Sequence, residues 1–199
     1  MDFENEINHA LEESLRTQRE FWQKHRGTFF KAAEMLWAAV QSDKKVLIFG
    51  NGGSACDALH FAGEWVNRYK RDRRPLPCLA LTADAPLITC IGNDASFDEI
   101  FEKPVQAFGQ TDDIAIGIST SGNSENVIRG LYAARARGMQ TLALVGGTGG
   151  RIIRESHADI VLNVDSSTTT ARIQETHEWI LHAFCEYIDL QLLGPELHH

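Results

Sequence analysis

The chain has 199 residues, the length of one domain of ordinary size, and its 43% hydrophobic and 23% charged content is typical of a globular protein. Acidic residues outnumber basic ones by 27 to 19, so the formal net charge is −8 at pH 7. This excess of negative charge argues against a general electrostatic attraction to nucleic acid or to an anionic membrane, and we expect neither as a partner.

The N-terminal stretch MDFENEINHALEESLRTQREF is acidic and polar, unlike a secretory signal peptide. No apolar run approaches the ~20 residues that a membrane-spanning helix needs, so the cytoplasm is the expected compartment. The final LHH is excluded from these predictions. The cysteines show no paired metal-binding spacing, and we expect buried or half-buried reduced thiols at Cys56, Cys78, Cys90 and Cys185.

Helical periodicity dominates the first forty residues. Apolar side chains recur at helical spacing in residues 7–25 and again in residues 28–43, and the positions between them are polar. The pattern predicts two amphipathic helices ahead of the main body. Their apolar faces need a surface to cover, which is either the domain's own sheet or a neighbouring subunit.

The rest of the chain alternates short apolar runs with helical segments. The predicted strands are KVLIFG, LPCLALT, DIAIGI, QTLALVG and ADIVLNV, and the predicted helices between them are 54–70, 97–108, 123–137 and 149–156. Continuous apolar strands that alternate with helices indicate a parallel sheet buried on both faces. We therefore predict a single doubly wound α/β domain over residues 1–199, with N-terminal helices at 1–43, a parallel core at 44–165 and a C-terminal helix at 168–193.

Two unusual loops follow predicted strands, at the sheet edge where open α/β proteins bind ligands. The first is GNGGSACD, residues 50–57, whose glycines permit a close approach of the backbone to a ligand. Ser54 is well placed to cap the next helix. The loop lacks GxGxxG spacing and the lysine of a P-loop, so a dinucleotide site is not expected.

The second loop, STSGNS at residues 119–124, carries four hydroxyl groups around one glycine where a helix should begin. A helix N-terminus offers free N–H groups and a partial positive charge, and hydroxyl donors beside it complete a phosphate cradle without any basic residue. The alternative is a serine-rich turn that only caps the following helix. Both interpretations stay open on these residues alone.

Polar side chains on two predicted helices are candidates for chemistry. His60 and Glu64 lie four residues apart, so they share one helical face and can bind one metal ion, although a solvated surface pair is the more frequent outcome. The last helix adds Gln174, His177 and His182. Its apolar periodicity places His177 nearer the buried face than His182 and leaves open which histidine serves chemistry.

The segments FGNGGSACDALHFAGEW, IGND, GISTSGNSENVI and RIQETHEWILH, in this order, resemble the phosphoheptose isomerase family of sugar isomerase (SIS) domain proteins. The resemblance extends over nearly the whole chain, to about residue 193. It implies a flavodoxin-like SIS fold, in which helices flank a doubly wound five-stranded parallel sheet, with an N-terminal helical extension. It also implies a homotetramer, with active sites at subunit interfaces and one zinc ion (Zn²⁺) per subunit.

The resemblance also implies a role for each matching residue. The implied zinc ligands are His60, Glu64, Gln174 and His182, a choice of histidine that overrides the periodicity of the last helix. The implied substrate contacts are Asn51, Gly52, Gly53, Glu64, Asn93, Asp94, Ser119, Thr120, Ser121, Ser124 and Gln174.

The reaction implied by the resemblance converts sedoheptulose 7-phosphate to D-glycero-D-manno-heptose 7-phosphate through an enediol, toward the heptose of bacterial lipopolysaccharide. Moving a proton between C1 and C2 needs a base near carbon and an acid near oxygen, and we expect Glu64 and His182 in these catalytic roles. If Glu64 also binds zinc, its basicity falls, so the two roles compete. Asp57 or Asp94 are candidates to orient sugar hydroxyls.

Two alternatives to the isomerase remain at the level of sequence. One group of SIS proteins is non-catalytic and binds the bacterial replication initiator protein, but it lacks a carboxylate at the position of Glu64 and has an altered serine loop. The other alternative is a sugar-phosphate sensor, although the sequence shows no regulatory module beside the predicted domain.

Overall fold

The computed structural model describes residues 3–195, so the C-terminal LHH lies outside the described residues. Helix α1 runs without a break over Phe3–Gln41, which is 39 residues or about 58 Å. The prediction of two helices in this region was therefore wrong.

Packing on both sides of Gly27 explains why α1 continues. A glycine inside a helix costs about 1 kcal/mol relative to alanine, and Gly27 is exposed within a polar stretch. Phe21 and Phe29 on either side are buried against the last helix of the chain. The ring of Phe29 stacks on Phe184 at 4.8 Å, and Phe21 meets Trp179 edge-on at 6.3 Å. These contacts offset the cost of the glycine.

One parallel sheet forms the centre of the molecule. Its strands are β1 (Val46–Gly50), β2 (Cys78–Ala80), β3 (Ile114–Ser119), β4 (Gln140–Gly146) and β5 (Ile160–Val164). They pair in the order β2-β1-β3-β4-β5, all parallel. Every residue of β1 and β3 is buried, as continuous apolar runs require. The predicted doubly wound five-stranded sheet is confirmed, and its strand order reverses between β1 and β3.

Helices cover both faces of the sheet. Helices α1, α2 (Gly53–Val66) and α7 (Thr170–Leu193) share one hydrophobic core with the sheet. The opposite face is covered by α3 (Ala85–Asp94), α4 (Glu102–Phe108), α5 (Glu125–Ala136) and α6 (Gly150–Arg154). Helices α2 and α7 are therefore neighbours, and together they present one surface beside the carboxyl ends of β1 and β3.

Helix α3 was not among the predicted elements, although its start carries a capping signal. The Asp84 carboxylate accepts a hydrogen bond from the Leu87 N–H at 2.9 Å, and Pro86 occupies the first turn. Only Ile91 of this helix is buried, so its apolar periodicity is weak. The predicted segment 97–108 is divided between a 3₁₀ turn at Phe97–Glu99 and α4.

All four cysteines are free thiols, but two of them are exposed. Cys78 and Cys185 are buried as predicted, whereas the prediction of buried or half-buried thiols was wrong for Cys56 and Cys90. Cys56 lies on the side of α2 that faces away from the sheet, because its neighbours Asp57 and Ala58 take the buried positions.

Within residues 3–195, no helix combines the length and the apolar character that crossing a membrane requires.

Candidate active site

The loops that follow β1 and β3 lie side by side at the reversal of strand order. Gly50 and Ile118 are paired in register at the ends of these strands. A Cβ atom on Gly50 would lie 2.9 Å from the Ile118 carbonyl oxygen, so only glycine lets the chain pass here. Asn51 and Asn126 exchange two side-chain hydrogen bonds of 2.8 and 2.9 Å, which join the first loop to the start of α5.

The first loop does not use Ser54 as a helix cap. Gly52 takes the N-cap position with a φ of 55°, and no side chain caps α2. Ser54 is buried in the first turn instead, so its predicted capping role was wrong. Gly53 faces Gln174, whose Cγ lies 3.4 Å from where a Cβ would stand. The absence of side chains at both glycines leaves the backbone of this loop open to a ligand.

The STSGNS loop closes on itself. The hydroxyls of Ser119 and Ser124 lie 3.0 Å apart, and Ser124 makes no side-chain hydrogen bond to the helix that it precedes. A simple capping turn is therefore disfavoured. Gly122 has a φ of 64°, and a Cβ there would lie 2.0 Å from the Gly149 carbonyl oxygen, so the fold of this loop requires glycine.

Beside this loop lies a cavity of about 220 Å³ rich in hydroxyl groups. Its walls come from the β3–α5 loop, the β4–α6 loop and the start of α7. They contain no charged side chain, and the lining residues are Thr120, Ser121, Gly146, Gly147, Thr148, Thr168, Thr170 and Ile173. The threonines outside STSGNS were missed from the sequence, although the run TTT at residues 168–170, where the last helix begins, was an available signal for two of them.

Helices α2 and α7 bring two histidines and a glutamate together. The Nε2 atoms of His60 and His182 are 2.9 Å apart. The Glu64 carboxylate lies beside both, with Oε1 3.4 Å from His60 Nε2 and Oε2 3.7 Å from His182 Nε2. His60 and Glu64 are thus part of a cluster between two helices and not an isolated surface pair.

The chemistry of this cluster fits a divalent metal ion. His60, Glu64 and His182 each offer one ligand atom, and these atoms lie within 4.8 Å of one another. Imidazole nitrogen and carboxylate oxygen are the ligands of catalytic zinc sites, which take three protein ligands and keep one open position. Within residues 3–195, the buried Glu64 Oε2 has no hydrogen-bond partner, which is costly for a carboxylate unless a cation or donor satisfies it.

Next to the cluster, the carboxylates of Asp57 and Glu178 lie close together. Burial, together with the negative charge of Glu178, raises the pKa of Asp57 to about 7, although a hydrogen bond from the Gln174 amide acts in the opposite direction. Gln174 lies one helical turn before Glu178 on α7, and its amide donates a hydrogen bond to Asp57. Glu178 was missed from the sequence, although Gln174, Glu178 and His182 follow one another at intervals of four residues on α7.

His177 lies on the buried face of α7, as the apolar periodicity predicted. It is fully buried, and its Nε2 lies 3.0 Å from the Val145 carbonyl oxygen, to which it donates. Burial lowers the pKa of His177 to about 4, so the ring is neutral at physiological pH. The two histidines of α7 are thus separated, and only His182 joins the cluster.

Comparison with known proteins identifies the family. Residues 10–146 match the SIS domain family. A phosphoheptose isomerase of Thermodesulfovibrio yellowstonii is 43% identical over 95% of this chain and 92% of its own length. Solved phosphoheptose isomerases superpose with TM-scores of 0.87 (Neisseria gonorrhoeae; 40% identity, 94% of this chain and 98% of that one) and 0.89 (Francisella tularensis; 37%, 95% and 99%). The chain belongs to the phosphoheptose isomerase family.

Membership of the phosphoheptose isomerase family decides between the classes of protein considered above. The relatives match over nearly their full length and are named as isomerases, which favours an enzyme over a non-catalytic SIS protein or a sensor. The retained Glu64 carboxylate and the hydroxyl-rich cavity agree with this assignment.

Two contacts hold the cluster in place within this member of the phosphoheptose isomerase family. The Arg73 guanidinium is buried and donates hydrogen bonds to the carbonyl oxygens of Glu64 and Trp65 at the end of α2, each at 2.9 Å. It also pairs with Asp189 of α7 at 2.8 Å. The ring of Tyr69 stacks on His182 with centroids 5.7 Å apart. Neither Arg73 nor Tyr69 was singled out from the sequence.

Asn93 and Asp94 lie away from these groups. Both are exposed at the C-terminal end of α3, and the Asn93 amide donates to Asp94 at 2.7 Å. Within residues 3–195, no hydrogen bond or ion pair joins either residue to His60, Glu64 or His182. Their expected role in substrate binding remains a prediction.

Proposed function

We propose that His60, Glu64 and His182 form the catalytic centre of an aldose–ketose isomerase that converts sedoheptulose 7-phosphate to D-glycero-D-manno-heptose 7-phosphate. The observation that carries this proposal is the position of the Glu64 carboxylate between the two imidazoles, in a chain of the phosphoheptose isomerase family. The product is a precursor for bacterial heptose, and we expect the enzyme to act in the cytoplasm.

The reaction moves a proton between two carbons and another between two oxygens. Glu64 is the base that removes the C1 proton and returns it at C2 of the enediol. His182 is the acid that transfers a proton between the oxygens, and its Nε2 points toward the same carboxylate. The base on α2 and the acid on α7 are thus neighbours within one small site.

The donor set indicates one divalent metal ion per subunit, with zinc as the expected ion. His60, Glu64 and His182 would hold it, together with Gln174 on the same face of α7. When bound, such an ion polarises the substrate carbonyl and stabilises negative charge on the enediolate. Glu64 then has both a ligand and a base role, and substrate binding would shift it toward the second.

The substrate phosphate fits the hydroxyl-rich cavity at the STSGNS loop. Ser119, Thr120, Ser121 and Ser124 would donate hydrogen bonds to it beside the N-terminus of α5, with no basic side chain. Ile173 lines this cavity, and Glu178 lies 3.3 Å from His60. The two residues are five positions apart on α7, which is a rise of about 7.5 Å along the helix axis. That distance is comparable with the reach of a seven-carbon sugar chain.

The sugar hydroxyls between these two ends need polar partners. Asn51, Gly52 and Gly53 offer side-chain and backbone groups at the end of β1, and Gln174 lies directly opposite Gly53. Asn93 and Asp94 complete the proposed substrate contacts. Both residues are exposed and make no hydrogen bond to the cluster within the described residues. They would therefore contact the substrate bound to a neighbouring subunit, or contact their own subunit's substrate after a movement of α3.

A homotetramer is the proposed assembly. The first turns of α1 expose Phe3, Ile7, Leu11 and Leu15, with exposed fractions of 74, 61, 55 and 38%. These residues recur every fourth position and form one apolar stripe on α1. A second copy of the chain would cover this stripe, because the resemblance places active sites between subunits, and mass measurement in solution tests it.

The function is tested by incubating the purified chain with sedoheptulose 7-phosphate, with and without added Zn²⁺, and following formation of the aldose by chromatography or NMR. We expect turnover that depends on the metal. Absence of turnover by folded, metal-loaded protein would contradict the assignment. Slow exchange of the C1 proton with solvent gives a second readout of the base.

A further inference from the structure

The loop that follows β4 holds the STSGNS loop from outside. The Ile152 N–H donates to the Gly122 carbonyl oxygen at 3.0 Å, and the Arg151 N–H donates to the Asn123 side-chain oxygen at 3.0 Å. The Asn123 amide in turn donates to the Ser121 carbonyl oxygen at 2.9 Å. The start of α6 thus fixes this loop through backbone N–H groups, which leaves the Arg151 side chain available for a different role.

Glu125 places a negative charge at the start of α5. It is the first residue of this helix and directly follows Ser124, whose hydroxyl lies 3.0 Å from that of Ser119. A carboxylate in the first turn of a helix interacts favourably with the partial positive charge there, so it competes with a bound phosphate for that charge. It also repels the phosphate directly. Because the cavity beside the loop is lined by hydroxyl groups, neutralisation of Glu125 must come from outside its walls.

The Arg151 guanidinium supplies the opposite charge. Its Nη1 donates to Glu125 Oε2 at 2.5 Å, and its Nε and Nη2 donate to the two oxygens of Glu155 at 3.0 and 3.2 Å. The hydrogen bond from Arg151 lowers the pKa of Glu125, so this carboxylate is ionised at neutral pH. A network with a bidentate contact keeps an arginine in one place, unlike an isolated surface ion pair.

A second arginine near Glu125 divides its charge among more carboxylates. Arg129 Nε lies 3.3 Å from Glu125 Oε1, but its guanidinium also lies 3.9 Å from Glu99 and 3.7 Å from Glu102. These two carboxylates offset part of the charge of Arg129. Arg151 is therefore the cation that most directly compensates Glu125.

We propose that Arg151 is a positioning residue for phosphate recognition, which neutralises Glu125 beside the STSGNS loop without touching the substrate. The inference rests on the phosphate site proposed above and adds a residue outside the implied substrate contacts. Because the catalytic cluster lies on α2 and α7, the loss of this charge should weaken binding of the phosphate and leave the chemical step unchanged. The effect should therefore appear in KM and not in kcat.

The test compares Arg151→Met with Arg151→Lys, two unbranched side chains of similar length that differ in charge and keep the backbone N–H. A double variant, Arg151→Met with Glu125→Gln, removes both charges of the pair. Arg135→Met is the matched control, because Arg135 lies at the other end of α5 and pairs with Asp159 at 3.9 Å. The measurements are kcat and KM for sedoheptulose 7-phosphate and the inhibition constant of inorganic phosphate, with circular dichroism to confirm folding.

We expect KM and the phosphate inhibition constant to rise about 5- to 30-fold in Arg151→Met, with kcat within about twofold. Arg151→Lys and the double variant should stay within about threefold of the unmodified chain in both constants, and Arg135→Met within about twofold. The recovery in the double variant distinguishes charge compensation from a structural role, which the second substitution would not restore.

Two results would overturn the inference alone: unchanged constants in Arg151→Met, or a double variant that binds phosphate as weakly as Arg151→Met does. If Arg151→Met does not fold, weak phosphate binding by a folded Arg151→Lys variant would also contradict it. Failure of inorganic phosphate to inhibit the unmodified chain would overturn the proposed phosphate site together with the inference. Turnover of the unmodified chain, measured in the same assay, would still leave the isomerase assignment standing.

Discussion

The Nε2 atoms of His60 and His182 lie 2.9 Å apart, although the two residues are separated by 122 positions in the chain. Two imidazolium groups cannot face each other at this distance, so at least one ring presents a lone pair. The rings therefore have either a shared proton or a shared cation between them. The buried Glu64 oxygen without a hydrogen-bond partner favours the cation.

Removal of the metal should abolish turnover. Dialysis against a chelator is expected to inactivate the enzyme, and one equivalent of Zn²⁺ per subunit should restore activity. His60→Ala should bind the ion at least about tenfold more weakly, because it loses one ligand. Activity that survives complete removal of metal, checked by elemental analysis, would show that the cluster works as an acid–base pair without an ion.

Glu64→Gln should lower kcat by roughly 100- to 10,000-fold, the usual contribution of a positioned base. The amide keeps the size of the side chain, so binding of the sugar phosphate, measured by calorimetry, should persist. Near-normal turnover in this variant would exclude Glu64 as the base. Exchange of the C1 proton with deuterium should be lost in parallel with turnover.

The two histidines of α7 should respond differently to substitution. His182→Ala removes the proposed acid and should reduce kcat about 100-fold or more. His177→Gln keeps a donor for the Val145 carbonyl oxygen and lies outside the cluster, so turnover per folded molecule should stay within a few-fold. The reverse order of effects, after correction for the folded fraction, would mean that the acid was assigned to the wrong histidine.

The fold was predictable because its strands are buried on both faces and its helices are periodic. β1 and β3 are continuous apolar runs, and each is followed by a loop rich in glycine and polar residues. The continuity of helix α1 was not predicted because Gly27 and its polar neighbours interrupt the local apolar pattern. The residues of α7 that pack against Phe21 and Phe29 are far from them in sequence.

The site was predictable only in part. His60, Glu64 and His182 came from helical spacing combined with the family resemblance. Glu178 occupies the same helical face, but a glutamate at such a spacing is an ordinary surface residue until a neighbouring helix is placed against it. Arg73 lies in the polar segment after α2, and only the tertiary structure shows that its guanidinium is buried.

Arg73→Met should destabilise the protein by about 3–5 kcal/mol, because it leaves the Asp189 carboxylate buried without its partner. The side chains of Arg73 and Asp189 are 1% and 5% exposed. The variant also loses the hydrogen bonds to the end of α2, so the position of Glu64 should loosen and kcat should fall. Equilibrium urea unfolding measures the first effect, and turnover below the transition measures the second.

A matched control is Arg68→Met, since Arg68 pairs with Asp72 on the surface, where the two side chains are 54% and 92% exposed. It should change stability by less than about 1 kcal/mol. An equal loss in the two arginine variants would show that Arg73 is not a special link between α2 and α7.

His177 should make stability depend on pH in the acidic range. Its pKa is lowered from 6.5 to about 4 by burial, so between these values the unfolded chain binds a proton that the folded chain does not. The contribution of His177 to stability is therefore complete above pH 6.5 and falls as the pH decreases, by about 1.4 kcal/mol per unit and about 3 kcal/mol in total near pH 4.

The raised pKa of Asp57 acts in the opposite direction, because the folded chain holds a proton between its ordinary value and about 7. Comparing the unmodified chain with His177→Gln cancels this contribution. The change in unfolding free energy on going from pH 7.5 to pH 5.0 should be about 2 kcal/mol more negative in the unmodified chain than in the variant, measured by urea titration. Equal pH dependence in the two proteins would mean that His177 is protonated in the folded state or that the unfolded chain shifts its pKa as much as the fold does.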